Sequence, residues 1–438
     1  MNLSANQEHA TVAVIGAGAG GLAASRRLSE QGIDHVVYEA GSHVGGLWVY
    51  ENDNGYAQAY QSLHINSESS VTSFEGFPFP SDTPLYPRHD QMAKYFADFA
   101  EHFDLNKHIR FRSPVTRIER TDSGWLISTE NSSELYSHVI VASGHQNIPQ
   151  MPKLPGDFSG PVVHSQNYRK PDEYKDKRVL IIGVGNSALD IAADICTSTK
   201  RTVLSARSPV QILPRMLFGW PTSRALGKVA GLPWPVQRWV RNMITHITHG
   251  SMERWGFTTP KSRTHPTSHP TVMHHMTWNR IVGKPGISSI SGQQVTFADG
   301  STEEFDVIIA GTGYVNEIPF LSEDLLPLEG RDFQLYHRIV PPTENRMYFL
   351  GFFNVSGGAN IPILDEQAKW VSSLIAGRVQ LPSPHEMRKS IQAETKRLAR
   401  RYPSSYRYGL ELDPKRYVKQ LASQQPRARC RTRGTPRP

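Results

Sequence analysis

The chain has few of the residues that build disulfide or metal frameworks. Only two cysteines occur in 438 residues, Cys196 and Cys430, and neither belongs to a Cys-x-x-Cys pair. A disulfide framework, a thiol redox motif and a cysteine zinc site therefore have no support. The stretch THPTSHPTVMHH contains four histidines, His265, His269, His274 and His275. Two prolines interrupt it and no carboxylate accompanies it, so we predict no metal site.

Long apolar runs are also missing. The most apolar stretches, VAVIGAGAGGLAA and VLIIGVGNSALDIAADI, are interrupted by Gly, Asn or Asp. No continuous run is long enough to span a bilayer. The first ten residues, MNLSANQEHA, lack the basic and then apolar pattern of a signal peptide. We therefore expect a soluble protein of the cytoplasm with no membrane partner.

Acidic residues are absent from the C-terminal end. The net charge is +8, and the last fifteen residues hold five Arg and no acid, so the rest carries +3. No aromatic residues interleave with these charges, which argues against nucleic-acid binding. We predict a basic disordered tail over 424–438 and no nucleic-acid partner.

Two strand–turn–helix–strand units stand out against these absences. In the first, TVAVI precedes GAGAGG, a helical stretch and HVVYEA. Gly16, Gly18 and Gly21 occupy positions one, three and six of G-x-G-x-x-G, as a dinucleotide loop requires. Glu39 follows Gly21 by eighteen residues. A carboxylate there accepts from ribose hydroxyls and repels a 2′-phosphate, so this unit is predicted to bind FAD or NAD.

The second unit has the form G-x-G-x-x-A, with Gly183, Gly185 and Ala188. Its second strand ends at Arg207 instead of an acid. A guanidinium at that place can pair with a 2′-phosphate, which favours NADPH over NADH. Two sites of opposite preference indicate one permanent flavin and one exchangeable nicotinamide, suited to hydride transfer from NADPH to FAD.

The remaining patterns are less regular. EFDVIIAGTGY (304–314) reads as a strand and VTFADGS (295–301) as a hairpin or strand-end turn. ILDEQAKWVSSLIAG reads as an amphipathic helix closed by Gly377, with Leu364, Ala368, Val371 and Leu374 on one face. The stretch from about 208 to 285 has little clean periodicity.

A third motif carries a family resemblance. FSGPVVHSQNYR resembles the F-x-G-x-x-x-H-S-x-x-Y-R fingerprint of the flavin-containing monooxygenases, through Phe158, Gly160, His164 and Tyr168. The related Baeyer–Villiger branch usually has Trp where Tyr168 stands, so the match favours the heteroatom-oxidising branch. GSHVGGLWVY, LHINSES, VASGHQNIPQMP, GVGNSALD and AGTGY are similar to further segments of the family, in the same order.

The resemblance implies an α/β fold of two nested Rossmann-like domains. We expect a discontinuous FAD-binding domain, residues 8–168 plus 300–423. The NADPH-binding domain, residues 169–299, would be inserted into it. A homodimer is possible. Because the sequence shows no heptad repeats, its subunits would meet through globular surfaces and not through a coiled coil.

The resemblance also implies a reaction. NADPH reduces FAD, NADP+ stays bound, and O2 adds to give a C4a-hydroperoxyflavin. An amine nitrogen or sulfide sulfur of a small molecule then takes the distal oxygen. A Baeyer–Villiger or carbon-oxygenating enzyme, or an NADPH oxidase that releases peroxide, stays an alternative.

By the same resemblance, Asn66 is the expected catalytic residue. His164 is expected to act as a structural histidine that holds a loop and links the domains near the nicotinamide. Two departures from the family pattern are Ile65, for the usual Thr, and Ala310-Gly311, for Phe-Ala. The full set expected to bind the cofactors is Gly16, Gly18, Ala19, Gly20, Gly21, Glu39, Leu47, Trp48, Asn66 and Ser67 for FAD, with Gly183, Gly185, Asn186, Ser187, Ala188, Asp190 and Arg207 for NADPH. Thr312, Gly313 and Tyr314 are also expected to bind a cofactor.

Overall fold

The computed structural model of the chain describes residues 12–229, 231–264, 267–329, 332–344, 346–355, 358–402 and 409–425. Of the predicted tail at 424–438, all but the first two residues lie outside these ranges. His265 of the histidine-rich stretch also lies outside them.

Nine helices lie in these ranges. They are α1 Ala19–Glu30, α2 His89–His102, α3 Asn186–Ile195, α4 Thr222–Val229, α5 Trp234–His249, α6 Val272–Thr277, α7 Ile361–Ile375, α8 Pro384–Arg401 and α9 Pro414–Gln424. The predicted amphipathic helix is α7, which buries Leu364, Ala368 and Val371. Gly377 follows it with a φ of +70°, a conformation that glycine adopts without strain.

Two five-stranded parallel sheets organise the molecule. The first has the order Met347–Phe349, His138–Val141, Val12–Ile15, His35–Tyr38, Ile109–Arg110. The second has the order Val162–His164, Val307–Ala310, Arg178–Ile182, Arg201–Ala206, Ile281–Pro285. In each sheet a glycine loop follows the central strand of the order, as the two predicted units require, and the expected α/β class is confirmed.

Smaller sheets and strand pairs, some antiparallel and some parallel, fill the connections. One sheet contains Val115–Arg120, Trp125–Thr129 and Ser133–Tyr136, and another Thr302–Glu304, Gln294–Phe297, Ile287–Gly292 and Gly156–Phe158. The pairs are Ile212–Pro214 with Thr267–His269, Met216–Leu217 with Trp220–Pro221, Ile148–Pro149 with Tyr314–Val315, Leu328–Glu329 with Asp332–Phe333, and Asn354–Val355 with Glu411–Leu412. The predicted hairpin is confirmed, because Gln294–Phe297 pairs antiparallel with Thr302–Glu304.

The sheets cut across the predicted domain boundaries. Val162–His164 and Val307–Ala310 were expected in the first domain, yet both pair within the second sheet. Boundaries at 168 and 300 therefore do not separate the two sheets. The physical reason is that the buried run Val307–Ala310 fills the place beside Arg178–Ile182, which the local pattern does not specify. The division into FAD and NADPH domains stays a prediction.

Buried side chains form separate cores on the two sheets. The first core packs α1, α2 and α7 against the first sheet. Across α1 and α7, Arg27 makes two 2.8 Å hydrogen bonds to the Asp365 carboxylate, and both side chains are buried. The second core packs α3 against the second sheet. Each glycine loop is thus held between a buried strand and a buried helix.

Candidate functional site

The first glycine loop follows the central strand of the first sheet. Gly16 has a φ of +101°, and a Cβ on Gly21 would lie 1.8 Å from the Gly16 carbonyl oxygen. Only glycine therefore allows α1 to pack so closely on the loop. α1 begins at Ala19 behind Gly18, with no side-chain cap and no acid in its first turn. Its first N–H groups are available to an anion, which fits the pyrophosphate of FAD.

Glu39 follows the next strand and braces the same loop. Its Oε2 accepts from the Ala17 N–H at 2.6 Å, and its Oε1 accepts from the Gly41 N–H at 2.8 Å. Burial raises the pKa of Glu39, and the two N–H groups oppose that shift. Each carboxyl oxygen keeps a second lone pair for a ribose hydroxyl. The ribose contact stays a prediction.

A short turn, Gly46–Trp48, lies beside the first loop. The Gly45 N–H donates to the Ala17 carbonyl at 3.0 Å, which joins this turn to the glycine loop. Leu47 is 42% exposed, and Trp48 is partly buried against the first core. Both predicted FAD contacts thus lie next to the loop, and the contacts themselves stay predictions.

The second glycine loop has the same construction. Gly183 has a φ of +110°, and a Cβ there would lie 2.4 Å from the Gly311 carbonyl oxygen. α3 begins at Asn186 behind Gly185, again without a side-chain cap or an early acid. A Cβ on Gly185 would meet nothing within 4 Å, so the backbone is open on that side. This open N-terminus, with Ser187 in its first turn, fits the phosphates of NADPH.

The departure at Gly311 has a steric cause. A Cβ on Gly311 would lie 2.8 Å from the Ala188 Cβ. The Gly311 N–H also donates to the Ile182 carbonyl at 2.8 Å, which fixes its position. Because Ala188 fills the third position of the second loop, the neighbouring strand end accommodates only glycine.

Arg207 is exposed directly after the strand Arg201–Ala206. The Gly183 N–H donates to the Ser205 carbonyl at 2.9 Å, so the glycine loop lies beside this strand end. Within the described ranges, no ion pair or hydrogen bond engages the Arg207 guanidinium. Its contact with a 2′-phosphate stays a prediction.

Asp190 is engaged by protein groups. Its Oδ2 accepts from the Tyr60 hydroxyl at 2.6 Å, and its Oδ1 lies 3.1 Å from His269 Nε2. His269 Nδ1 accepts from the N–H groups of Thr271 and Val272, so Nε2 carries the proton that is donated to Asp190. These contacts give Asp190 a bracing role. Its contact with the NADPH phosphates stays a prediction.

Asn66 lies in an exposed position between the buried Ile65 and the half-buried Ser67. Its Oδ1 accepts from Arg215 Nη2 at 2.8 Å. The Ser67 Oγ accepts from the Thr72 hydroxyl at 2.8 Å. An amide can both donate and accept hydrogen bonds without titrating. The catalytic role of Asn66 stays a prediction.

The fingerprint residues pack on the second sheet. A Cβ on Gly160 would lie 2.6 Å from the Asp306 carbonyl and 2.7 Å from the Phe158 ring, so the ring position requires glycine. Phe158 packs on one face of the second sheet, in the cluster with Leu180. Tyr168 is fully buried in the cluster on the opposite face.

His164 joins the fingerprint to the segment Thr312–Tyr314. Its Nδ1 accepts from the Gln166 N–H, so Nε2 carries the proton and donates to the Gly313 carbonyl at 2.9 Å. The ring also contacts Tyr314, with centroids 5.2 Å apart. Burial lowers the pKa of His164. A neutral histidine that holds a loop matches the geometry, and its link to the nicotinamide stays a prediction.

Sequence reasoning missed several side chains that surround these residues. They are Tyr60, Asp194 and Arg215. One signal was available: the chain has no Asp or Glu between Asp194 and Glu253, although Arg occurs repeatedly there. An acid-free stretch next to a nucleotide loop is a place to look for groups that face bound anions.

Comparison with known proteins gives the family. The model of the flavin-binding monooxygenase-like family matches residues 9–426. The chain belongs to this family. It is 32% identical to rat flavin-containing monooxygenase 3 over 86% of this chain and 76% of that protein. It is also 32% identical to mouse flavin-containing monooxygenase 5, over 92% of this chain and 80% of that protein.

Solved structures share the fold of this monooxygenase. S-allyl-L-cysteine S-oxygenase from Allium sativum has a TM-score of 0.73 and 24% identity, covering 94% of this chain and 88% of that one. A closed crystal structure of cyclohexanone monooxygenase has a TM-score of 0.74 and 16% identity, covering 95% and 97%. These likenesses concern the fold alone.

The family resolves the general chemistry. The protein is a flavoprotein monooxygenase, an oxidoreductase that uses FAD and NADPH, as the two loops predicted. The two uncapped helix starts behind glycine loops fit these cofactors. None of the helices in the described ranges is long and apolar enough to cross a membrane.

Proposed function

We propose that this monooxygenase transfers one oxygen atom from O2 to an amine nitrogen or a sulfide sulfur of a small organic molecule. The observation that carries the proposal is the fixed amide of Asn66. Its Oδ1 is held by Arg215, and the side chain is exposed where the segments that follow the two glycine-loop units meet. Such an amide can donate to a polar group beside it at any pH near neutrality.

The chain's own residues bind and orient. The first loop, with Glu39, would hold FAD, while the second loop, with Arg207, would hold NADPH. When bound, the flavin reduced by NADPH supplies the activated oxygen. Asn66 would donate a hydrogen bond beside the reacting centre, and the packed fingerprint would keep the two sheets in register.

A soft nucleophile is the substrate class that this arrangement favours. Tyr168 stands where the heteroatom-oxidising branch of the family has Tyr. This match favours oxygenation at nitrogen or sulfur over oxygenation at carbon. The name of one structural neighbour, an S-oxygenase, agrees with a sulfide, although that likeness concerns the fold. A homodimer and a cytoplasmic location remain predictions.

The test is product analysis with a matched pair of asparagine variants. Purified holoenzyme is given NADPH and air with a tertiary amine, a thioether or a cyclic ketone. We expect an N-oxide or sulfoxide and no lactone. Asn66→Ala should lower product per NADPH by about tenfold or more, the scale of a lost oriented donor. Asn106→Ala, an exposed asparagine away from the site, should not.

Two results would overturn the proposal. Lactone as the main product would favour the Baeyer–Villiger reaction. Recovery of all NADPH equivalents as peroxide, with every substrate, would favour an oxidase.

A further inference from the structure

The Asn66 contact fixes which way the amide points. An Arg side chain only donates hydrogen bonds, so the Asn66 atom at 2.8 Å from Arg215 Nη2 must be the oxygen. The NH2 group therefore faces away from Arg215. Among the described residues, no group accepts a hydrogen bond from it. Both of its N–H bonds are available to a molecule bound beside Asn66.

Arg215 is itself held tightly in place. Its Nη1 donates to the Ile65 carbonyl at 3.3 Å, and its Nη2 also donates to the Ser268 carbonyl at 3.1 Å. The guanidinium carbon lies 5.1 Å from the centroid of the Tyr86 ring. Arg215 is only 8% exposed. The planar group thus has one orientation, set by three oxygens and a ring.

In the part of the chain that the structure describes, no acidic side chain pairs with Arg215. Within the described ranges, the Arg215 guanidinium donates only to carbonyl and amide oxygens. Glu68, two residues after Asn66, pairs with Arg224 instead. Arg215 Nε is also buried without an acceptor there. A buried guanidinium that lacks an acidic partner and leaves its Nε without an acceptor stabilises the fold little. A role toward Asn66 explains why it is placed there.

The contact also affects the strength of the amide as a donor. A cation at the amide oxygen draws electron density from the nitrogen, which strengthens both N–H donors. Because Arg215 follows the strand Ile212–Pro214, the contact joins the segment after the second glycine-loop unit to the segment after the first. The two residues are separated by 149 positions.

We propose that Arg215 is a positioning residue of the oxygenation site: it holds the Asn66 oxygen and directs the NH2 group toward the bound cofactors. This inference rests on the proposed role of Asn66. Arg215 does not touch the reacting atoms and acts through the amide.

The first test uses paired lysine variants. Arg215→Lys keeps the charge but loses the fork that reaches three oxygens, whereas Arg224→Lys keeps an ion pair with Glu68. Arg215→Lys should raise the share of NADPH recovered as peroxide by about tenfold, as expected for a misplaced group near the reaction, with little change in the NADPH KM. Arg224→Lys should leave that share unchanged. Equal effects of the two variants would overturn the proposal.

A second test separates positioning from general packing. Arg215→Ala leaves space for a free guanidinium ion, so millimolar guanidinium should restore oxygenation in Arg215→Ala but not in Asn66→Ala. The Arg215→Ala and Asn66→Ala effects on peroxide release should also be non-additive. No rescue together with additive effects would contradict the proposal.

A third readout is independent of the reaction. In urea unfolding of the holoenzyme, the shifts in midpoint caused by Arg215→Ala and Asn66→Ala should again be non-additive, because they remove one contact. Additive shifts would contradict the contact itself. If non-additivity is found but the wild type makes no oxygenated product, the proposed function fails while the contact stands.

Discussion

The Tyr168 hydroxyl donates a hydrogen bond to the Asp194 carboxyl group, and no part of the Tyr168 side chain reaches solvent. The same Asp194 oxygen accepts from the Ser62 hydroxyl at 2.7 Å. One turn earlier on α3, Asp190 accepts from Tyr60. Hydroxyls of Tyr60, Ser62 and the fingerprint residue Tyr168 therefore meet two carboxyl groups on one face of α3.

This relationship gives Tyr168 a structural role. Tyr168→Phe removes one hydrogen bond to a charged group, so the free energy of unfolding should fall by about 1–2 kcal/mol. The reaction type should not change, because the ring stays in the core. Urea unfolding and product analysis check both points. Tyr174→Phe, in the same core, serves as the control. A switch from sulfoxide to lactone products in Tyr168→Phe would show that Tyr168 selects the reaction.

The second glycine loop offers a pair of alanine variants with opposite expectations. Gly185 has an extended backbone and open space around it, so Gly185→Ala should leave stability almost unchanged. The new methyl group would occupy the space expected for a phosphate, and the NADPH KM should rise.

Gly183→Ala combines a φ of +110° with a carbonyl at 2.4 Å. It should cost more than about 2 kcal/mol of stability. Thermal unfolding and NADPH titration measure the two effects. An unchanged KM in Gly185→Ala would remove phosphate binding from this loop.

Arg207 is expected to select the nucleotide. Arg207→Gln removes the charge opposite the 2′-phosphate, so the NADPH KM should rise by about 10- to 100-fold while the NADH KM stays nearly constant. Steady-state kinetics with both nucleotides measure this. Arg201→Gln, at the other end of the same strand and paired with Glu303, is the control. An equal change in both KM values for Arg207→Gln would refute the assignment.

Stability should fall in acid because of buried histidines. Burial lowers the pKa of His35, His138 and His337 to about 4. The unfolded chain binds these protons below about pH 6.5, and the folded chain does so only near pH 4. The stabilisation is therefore complete above pH 6.5 and is lost as the pH falls toward 4. Each histidine contributes up to about 1.4 kcal/mol per pH unit in that window.

Urea unfolding at pH 7, 6 and 5 measures this slope. His35 Nδ1 lies 2.9 Å from the Ile33 carbonyl, and its Nε2 lies 2.8 Å from the Ser25 hydroxyl. His35→Asn removes the titrating ring, so it should make the pH dependence shallower, whatever its effect at pH 7. A slope identical to that of the wild type would show that His35 does not contribute.

Local patterns were sufficient for the cofactor loops. Glycine spacing, a buried strand and a following helix are specified within about thirty residues, and both units fold as predicted. The order of the strands within a sheet is not specified by neighbouring residues. Val307–Ala310 reads as a strand from its residues, but its place beside Arg178–Ile182 depends on burial between distant segments.

The packing of the stretch from 208 to 285 could not be predicted from the sequence, and α5 shows the physical reason. In α5, Val236, Trp239, Met243 and Ile247 are exposed, while Gln237 and Thr245 are buried. Ile244 is buried with these two polar residues. The four exposed apolar residues have helical spacing, so the sequence predicts a helix but indicates the wrong side for its packing. Likewise, no local signal links Arg215 to Asn66, because the contact forms only when the two units fold together.

The most direct measurement of the central claim uses isotopic oxygen. Holoenzyme is incubated with NADPH and 18O2, once with a thioether and once with a tertiary amine, and the product is analysed by mass spectrometry with peroxide measured in parallel. We expect one 18O atom in each sulfoxide or N-oxide molecule, with product close to the NADPH consumed for at least one substrate. Product oxygen drawn from water, or NADPH recovered entirely as labelled peroxide with both substrates, would contradict it.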